Sequence, residues 1–429
     1  MTENLNISLL QDADLRDKVV LVRVDHNVVK KGIIKDPYRI DSTIGTLFYI
    51  NAKGGKIILM THVGRPKDKK TGSINISDST SVLPIVNYLQ EKLNIRFHVP
   101  EISTVQGEGI KNIDESVEQL VRDLKNNKID GIYLPNTRWF CGEESKGEEA
   151  ENFGAQLANL ADIFVNDAFG SWQPHASTVQ ANKHIPSYAG FLMQKEIKNL
   201  ERIYNPEHPF LSIVAGSKFD TKMNTLNALF HQCDHLILGG VIYNAFLCAK
   251  YGIKIKGIEQ EDIDLAKSFV SLTEQEPDKL IELPFIVESD TFEGKTEGMY
   301  RTHSIDEIDS GASLNYILDI NSRSFEDDRV KSIFLSAKTI FVNAVMGYTP
   351  HFCDGTIAMD RLIDQNRDAS KLFGGGDTIQ ELKQLLPGIY MAATEDPKYY
   401  FFTGGGAVLK AIEKSSTLGI EPVKALVKK

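Results

Sequence analysis

Gly374-Gly375-Gly376-Asp377-Thr378 is the stretch of this chain whose residue types are best suited to hold a phosphate. Successive glycines let backbone N–H groups converge on one anion with no side chain in the way, and a helix starting there adds the positive end of its dipole. Asp377 adds a carboxylate where a phosphate-bound metal ion would sit. Three glycines are otherwise only a loop, with Asp377 capping the helix behind them. The surroundings favour the first reading. Leu372 and Phe373 form a short apolar run ahead of the glycines, and Ile379, Leu382 and Leu385 recur behind them at a spacing of three. Other polar groups also fall directly after apolar runs: Asp25 and Asn27, His62 and Arg65, Asn136 and Arg138, Asp167, Gly216 with Lys218, Gly239 with Gly240, Asn343, and Gly404.

The elements that must position these residues are strands. Val19 to Val24 and Lys56 to Val63 are β-branched apolar runs of the kind found in buried parallel strands. Gly131 to Leu134 and Ile163 to Val165 continue the series, with helical patterns at Asp114 to Asn126 and Glu148 to Leu160. Ala189 to Ile203 reads as an amphipathic helix without a strand directly before it, suited to joining two domains. The alternation then restarts at Phe210 to Val214, Leu236 to Leu238, Tyr316 to Ile320, Thr339 to Val342, Leu372 to Phe373 and Tyr400 to Phe402. The pattern predicts two doubly wound parallel-sheet, Rossmann-like α/β domains joined by a helix and a hinge, with a boundary near Ser187. Ligands in such sheets bind beyond the carboxyl ends of the strands. One edge is therefore expected to be basic and the other rich in glycine and lysine, a pairing suited to two phosphorylated ligands.

A length of 429 residues calls for two cores rather than one. Hydrophobic content of 42% and charged content of 25% are those of a soluble globular protein. The net charge of -10 argues against nonspecific binding to nucleic acid or to an anionic membrane. Cys141, Cys233, Cys248 and Cys353 are far apart and show no metal-ligand spacing, so reduced thiols in a cytoplasmic protein are expected. Met1 to Val20 has no basic start followed by an apolar core, and Leu236 to Ala249 is too short and too interrupted to span a bilayer.

Taken in order, these residues resemble one family, the phosphoglycerate kinases. The matching stretches are VLVRVDHN ending at Asn27, YRI around Arg39, THVGRP from Thr61, NTRWF from Asn136, VNDAFG from Val165, HAST from His175, AGFLMQKE from Ala189, GSK from Gly216 with the later Lys222, NAVMG from Asn343, GGGDT, and TGGGA from Thr403. The resemblance implies reversible phosphoryl transfer between 1,3-bisphosphoglycerate with Mg-ADP and 3-phosphoglycerate with ATP, in glycolysis, with domains closing over the ligands. Residues 1–187 would bind phosphoglycerate and residues 188–410 the nucleotide, with the tail 411–429 packing back on the first domain. Asp25, Asn27, Arg39, His62, Arg65, Arg138 and His175 match the phosphoglycerate side. Gly216, Lys218, Lys222, Gly240, Asn343 and Gly374, Gly375, Gly376, Asp377 and Thr378 match the nucleotide side, with Asp377 next to magnesium. Arg39, Lys218, Lys222, Gly374 and Gly404 match the groups around the transferred phosphoryl. A transferring phosphoryl group spreads negative charge over its oxygens, so fixed cations and backbone donors are what the reaction asks for. The implied partners are small molecules only, and a monomer is expected.

Several positions depart from the family pattern. The glutamate that the family uses for the ribose hydroxyls is Pro350 here, the third glycine expected after Leu238 is Val241, and the glutamate after TGGGA is Lys410. SWQPHAS is one residue short and has Gln173 and Pro174 where the family carries histidine and arginine; DINSRS after Leu318 lacks the glycine-proline of the hinge. An altered nucleotide site follows as an expectation. The alternative is a catalytically impaired relative that binds ligands or regulates. A dinucleotide dehydrogenase would need G-x-G-x-x-G after its first strand, and DHNVV is not that.

Overall fold

All six residues of the strand Val19–Val24 are buried, because helices cover both faces of the sheet it belongs to. Val20, Val22 and Val24 face one cluster with Leu47, Ile50, Ile85 and Leu89, while Val19 and Leu21 face another with Val117, Leu124, Phe153 and Leu157. This alternation of period two explains a sequence with almost no polar residue, and each large apolar side chain buried this way stabilises by roughly 1.5–3 kcal/mol. The structure is a computed structural model that describes residues 6–428; residues 1–5, where the reading of the N-terminus begins, and residue 429 lie outside that range.

The chain divides into two compact units, one running to Lys198 and resuming at Thr417, the other spanning Asn199–Ser416. The first unit holds β1 (Val19–Val24), β2 (Lys56–Met60), β3 (Phe97–His98), β4 (Gly131–Tyr133), β5 (Ile163–Asp167) and β6 (Ser187–Ala189), all parallel, in the order β3-β4-β2-β1-β5-β6. The returning segment joins this unit through Ser8 N–H to Leu426 O at 2.9 Å and Asn182 Nδ2 to Ala425 O at 3.0 Å.

The second unit holds β7 (Phe210–Gly216), β8 (His235–Gly239), β9 (Phe285–Ser289), β10 (Tyr300–Ser304), β11 (Tyr316–Ile320), β12 (Thr339–Asn343), β13 (Ser370–Gly374) and β14 (Tyr399–Phe402). Five of them make a parallel sheet in the order β8-β7-β12-β13-β14. Strand order reverses between β7 and β12, and that reversal opens a crevice at their carboxyl ends.

Two corrections to the sequence reading concern elements. Tyr316–Ile320 is not part of the parallel series; it lies in a separate antiparallel sheet with β9 and β10. Its apolar run suits either sheet, and nothing local to it selects the partner. The helix Phe191–Tyr204 does have a strand directly before it, β6, which pairs with β5. The N-terminus of this helix is held from other elements: Met193 N–H donates to Asp167 Oδ1 at 3.1 Å and Phe191 N–H to Thr46 Oγ1 at 2.9 Å. Burial pushes the Asp167 carboxyl up to about 6.

Candidate active sites in the two units

In the first unit the site is built where β1, β2 and β4 end. Asp25 follows β1 and is buried; its Oδ2 lies 3.3 Å from Arg39 Nη1, and its buried Oδ1 has no hydrogen-bond partner. Asn27 accepts from Gly64 N–H at 2.9 Å, and Asn136 holds the same loop through Val63 N–H and O at 3.0 and 2.8 Å. Arg23, wholly buried at the end of β1, donates to Ser177 Oγ at 2.8 Å and lies 3.1 Å from His62 Nδ1. Its counter-charge is Glu143, 4.0 Å away and itself held by Ser177 N–H and Oγ at 2.9 and 2.6 Å. Arg138 follows β4; its Nη1 donates to Gly64 O at 2.5 Å. Its Nε lies 3.0 Å from Glu144 Oε1 without hydrogen-bond alignment, which leaves a buried donor unsatisfied. His175 meets Gln173 Oε1 at 2.9 Å.

Electrostatics show where these groups converge. Burial first, then the positive charges of Arg23, Arg138, His175 and Arg39, hold His62 well below its ordinary range. Burial is also the leading cause that lowers His175, opposed by Glu143 and Glu144. His62 is therefore a neutral group in the field of Arg23, Arg138 and Arg39. Arg65 is exposed, and no described residue pairs with it. Asp25, Glu143 and Glu144 offset Arg39, Arg23 and Arg138 at this edge, and the side-chain atoms of that set left without a hydrogen bond among the described residues are Asp25 Oδ1 and Arg138 Nε.

In the second unit a cavity of about 640 Å³ opens at the β7/β12 reversal. Lys222 is the N-cap residue of the helix Met223–Gln232, and its ammonium donates to Asn343 Oδ1 at 2.5 Å. Asn343, the last residue of β12, in turn donates from Nδ2 to Gly374 O at the end of β13. No carboxylate among the described residues pairs with Lys222, and burial lowers it to about 8. Gly375 begins the turn at φ +121, and a Cβ there would stand 2.6 Å from Asn343 Nδ2, so only glycine fits. Gly375, Gly376, Asp377 and Thr378 line the cavity where the helix Gly376–Leu385 starts. Gly216 and Gly240 line the opposite side as a bridged pair.

The remaining nucleotide-side residues lie elsewhere. Lys218 is exposed and outside the cavity lining. Gly374 and Gly404 are buried and outside it as well. The turn after β14 backs the glycine nest through Gly405, where a Cβ would stand 2.5 Å from Gly375 Cα. Val241 lines the cavity, Lys410 is paired with Glu413 at 2.8 Å, and Pro350 is exposed and not part of the lining.

Lining residues that sequence reading passed over include Asp319, Glu381 and the aromatic group Phe292, Tyr316 and Tyr348. Asp319 is taken up by the backbone: its carboxylate accepts from Ile320 N–H at 2.9 Å and Gly355 N–H at 3.3 Å, and burial pushes it up to about 7. Glu381 had a legible signal, since it stands four residues after Asp377 on a helical pattern. The aromatic group had none, because the three residues come from separate loops and strands.

The fold and these clusters define an α/β protein of two parallel-sheet units, each with a candidate site at the carboxyl edge of its sheet. A family model described as phosphoglycerate kinase matches residues 10–415. The phosphoglycerate kinase of Dictyoglomus turgidum is 33% identical over 419 residues, covering 96% of each chain, and that of Clostridium tetani is 34% identical over 423 residues, covering 97% of each. The solved structure of phosphoglycerate kinase from Coxiella burnetii superposes with a TM-score of 0.74 at 26% identity, over 98% of this chain and all of that one. This chain belongs to the phosphoglycerate kinase family.

Proposed function

We propose that the chain carries out the reaction of its family, reversible transfer of a phosphoryl group between 3-phosphoglycerate with ATP and 1,3-bisphosphoglycerate with ADP, in glycolysis. In the direction of ATP use, a carboxylate oxygen of 3-phosphoglycerate attacks the γ-phosphorus. The new acyl phosphate bond forms as the β–γ bridging bond breaks, and that electron pair leaves on the β-phosphate of ADP. The observation that carries this reading is Lys222, a half-buried ammonium with no carboxylate partner among the described residues, lining a cavity next to a glycine nest.

Roles follow from the chemistry of each group. Lys222 and the Gly375–Thr378 nest would receive phosphate oxygens, and Arg39 would supply positive charge to the group in transfer. Asp25 Oδ1 would accept the hydroxyl of 3-phosphoglycerate, while Arg138, Arg65 and His175 would hold its phosphate. Lys218, exposed ahead of the helix that Lys222 caps, and the turns at Gly374 and Gly404 remain proposed members of the transfer site.

Asp377 suits magnesium brought in by the nucleotide: it is exposed, lines the cavity and has no partner among the described residues. No group of three or more His, Cys, Asp or Glu side chains able to hold a metal ion occurs among the described residues. That matches an ion held mostly by phosphates plus one carboxylate. Bound there, magnesium would offset phosphate charge. The altered nucleotide site belongs to the same proposal and rests on Val241 in the lining and Pro350 outside it. So do hinge closure over the two ligands, a cytoplasmic location and a monomeric state. No helix among the described residues is long and apolar enough to cross a membrane.

The test is a coupled assay with 3-phosphoglycerate and Mg-ATP or Mg-GTP over a wide concentration range. Turnover that saturates in both substrates is expected. Activity on neither nucleotide would overturn the assignment.

A further inference from the structure

Three fixed points of the second-unit cavity determine how a nucleotide would lie in it. The phosphate end is the Gly375–Thr378 nest with Lys222. The lining also carries an aromatic group: the Phe292 ring is tilted at 47° to that of Tyr316 with centroids 4.0 Å apart and meets Tyr348 edge-on at 5.2 Å, and Phe292 and Tyr348 are 43% and 49% exposed. A planar base suits that group. Between phosphate and base a nucleotide presents its ribose, with two adjacent hydroxyl donors. Glu381 lines the same cavity and links the glycine nest to the aromatic group. It is one helical turn beyond Asp377, an axial step of about 6 Å, and accepts a hydrogen bond from Thr349, the neighbour of Tyr348.

Three carboxylates line this cavity, and two have other work. Asp319 is occupied by backbone N–H groups, and Asp377 lies at the phosphate nest. Glu381 is half-buried, and Thr349 is its hydrogen-bond donor in the protein. We propose that Glu381 is the ribose-binding residue of this chain, its carboxylate oxygens accepting the 2′- and 3′-hydroxyls of the nucleotide. A carboxylate can take two such donors side by side, and charge-assisted bonds of this kind are the strong ones. The Pro350 position has no acceptor to offer, so the acceptor comes from a helix rather than from the loop after β12.

This inference rests on the nucleotide reading of the cavity. Calorimetry at pH 8, with and without magnesium, compares ADP with 2′,3′-dideoxy-ADP for the wild type, Glu381→Ala and Glu381→Gln. The wild type should bind ADP about tenfold or more tighter than the dideoxy analogue, the scale of one charge-assisted pair. In Glu381→Ala the two ligands should bind within about twofold of each other, at the affinity the analogue has for the wild type. Glu381→Gln keeps the packing and should fall between, showing that lost discrimination is not lost folding. ADP binding whose ribose ratio ignores residue 381 would overturn this inference and leave the nucleotide reading standing. A wild type that binds no ADP would overturn both.

Discussion

An ammonium at the start of a helix opposes the helix dipole, and burial adds to its cost, so an anion would stabilise Lys222 beyond what its hydrogen bond to Asn343 supplies. Burial lowers it to about 8, and an arriving phosphate favours the charged form and raises it. The sign follows. Below about pH 8 the ammonium is already present; above it, binding must take up a proton, so affinity for ADP should fall by up to about tenfold per pH unit. Calorimetry in buffers of different ionisation enthalpy should show proton uptake at pH 8.5, and Lys222→Met should bind weakly with no such uptake. A second residue prediction concerns Arg39, half-buried beside Asp25. Arg39→Ala should lower turnover roughly 10² to 10³-fold, the scale for removing one preorganised donor to developing charge, with an unchanged circular dichroism spectrum. A rate within threefold of wild type would remove Arg39 from the transfer site. That Lys222, Asn343 and Gly375 to Thr378 share one cavity lining was legible in sequence because each stands at or beyond the end of a strand and has a type that phosphate chemistry requires. Lys218 and Gly404 share that signal and do not line the cavity, since position after a strand does not fix which way the chain turns.

Elements were legible where burial is symmetrical and runs are long. β1 and β7 announce themselves because both of their faces are covered; β3, only two residues long, carries no periodicity to read. β11 was placed in the parallel series, and its partners β9 and β10 carried no signal, because β10 is largely exposed and pairing depends on distant registers. Packing between the helices Asp354–Gln365 and Gly376–Leu385 creates a pH dependence that no sequence pattern shows. Asp360, wholly buried on the first helix with Oδ1 unpartnered, is pushed up to about 8 by burial and by Glu381 on the second. Between the ordinary carboxyl value of 3.8 and about 8, the folded state keeps a proton that the unfolded state has lost. Stability from this group is therefore full at low pH and declines as pH rises, by up to about 1.4 kcal/mol per unit. Asp360→Asn should flatten the fall in urea-unfolding stability between pH 5 and pH 8. An equal slope in both proteins would mean that Asp360 is ionised in the folded state.

At the scale of the whole molecule, a net charge of -10 works against anionic substrates, so in the proposed reaction their capture would fall to local groups, the arginines around His62 in one unit and Lys222 in the other. A phosphoryl group that moves directly from nucleotide to phosphoglycerate carries its label with it. Rapid quench with ATP labelled at the γ-phosphate, magnesium and 3-phosphoglycerate tests that transfer most directly. The label should appear in 1,3-bisphosphoglycerate within the first turnover, and Lys222→Met should slow its appearance by roughly 10² or more. Label found only in inorganic phosphate, or a wild type that binds both ligands and moves no label, would contradict the account.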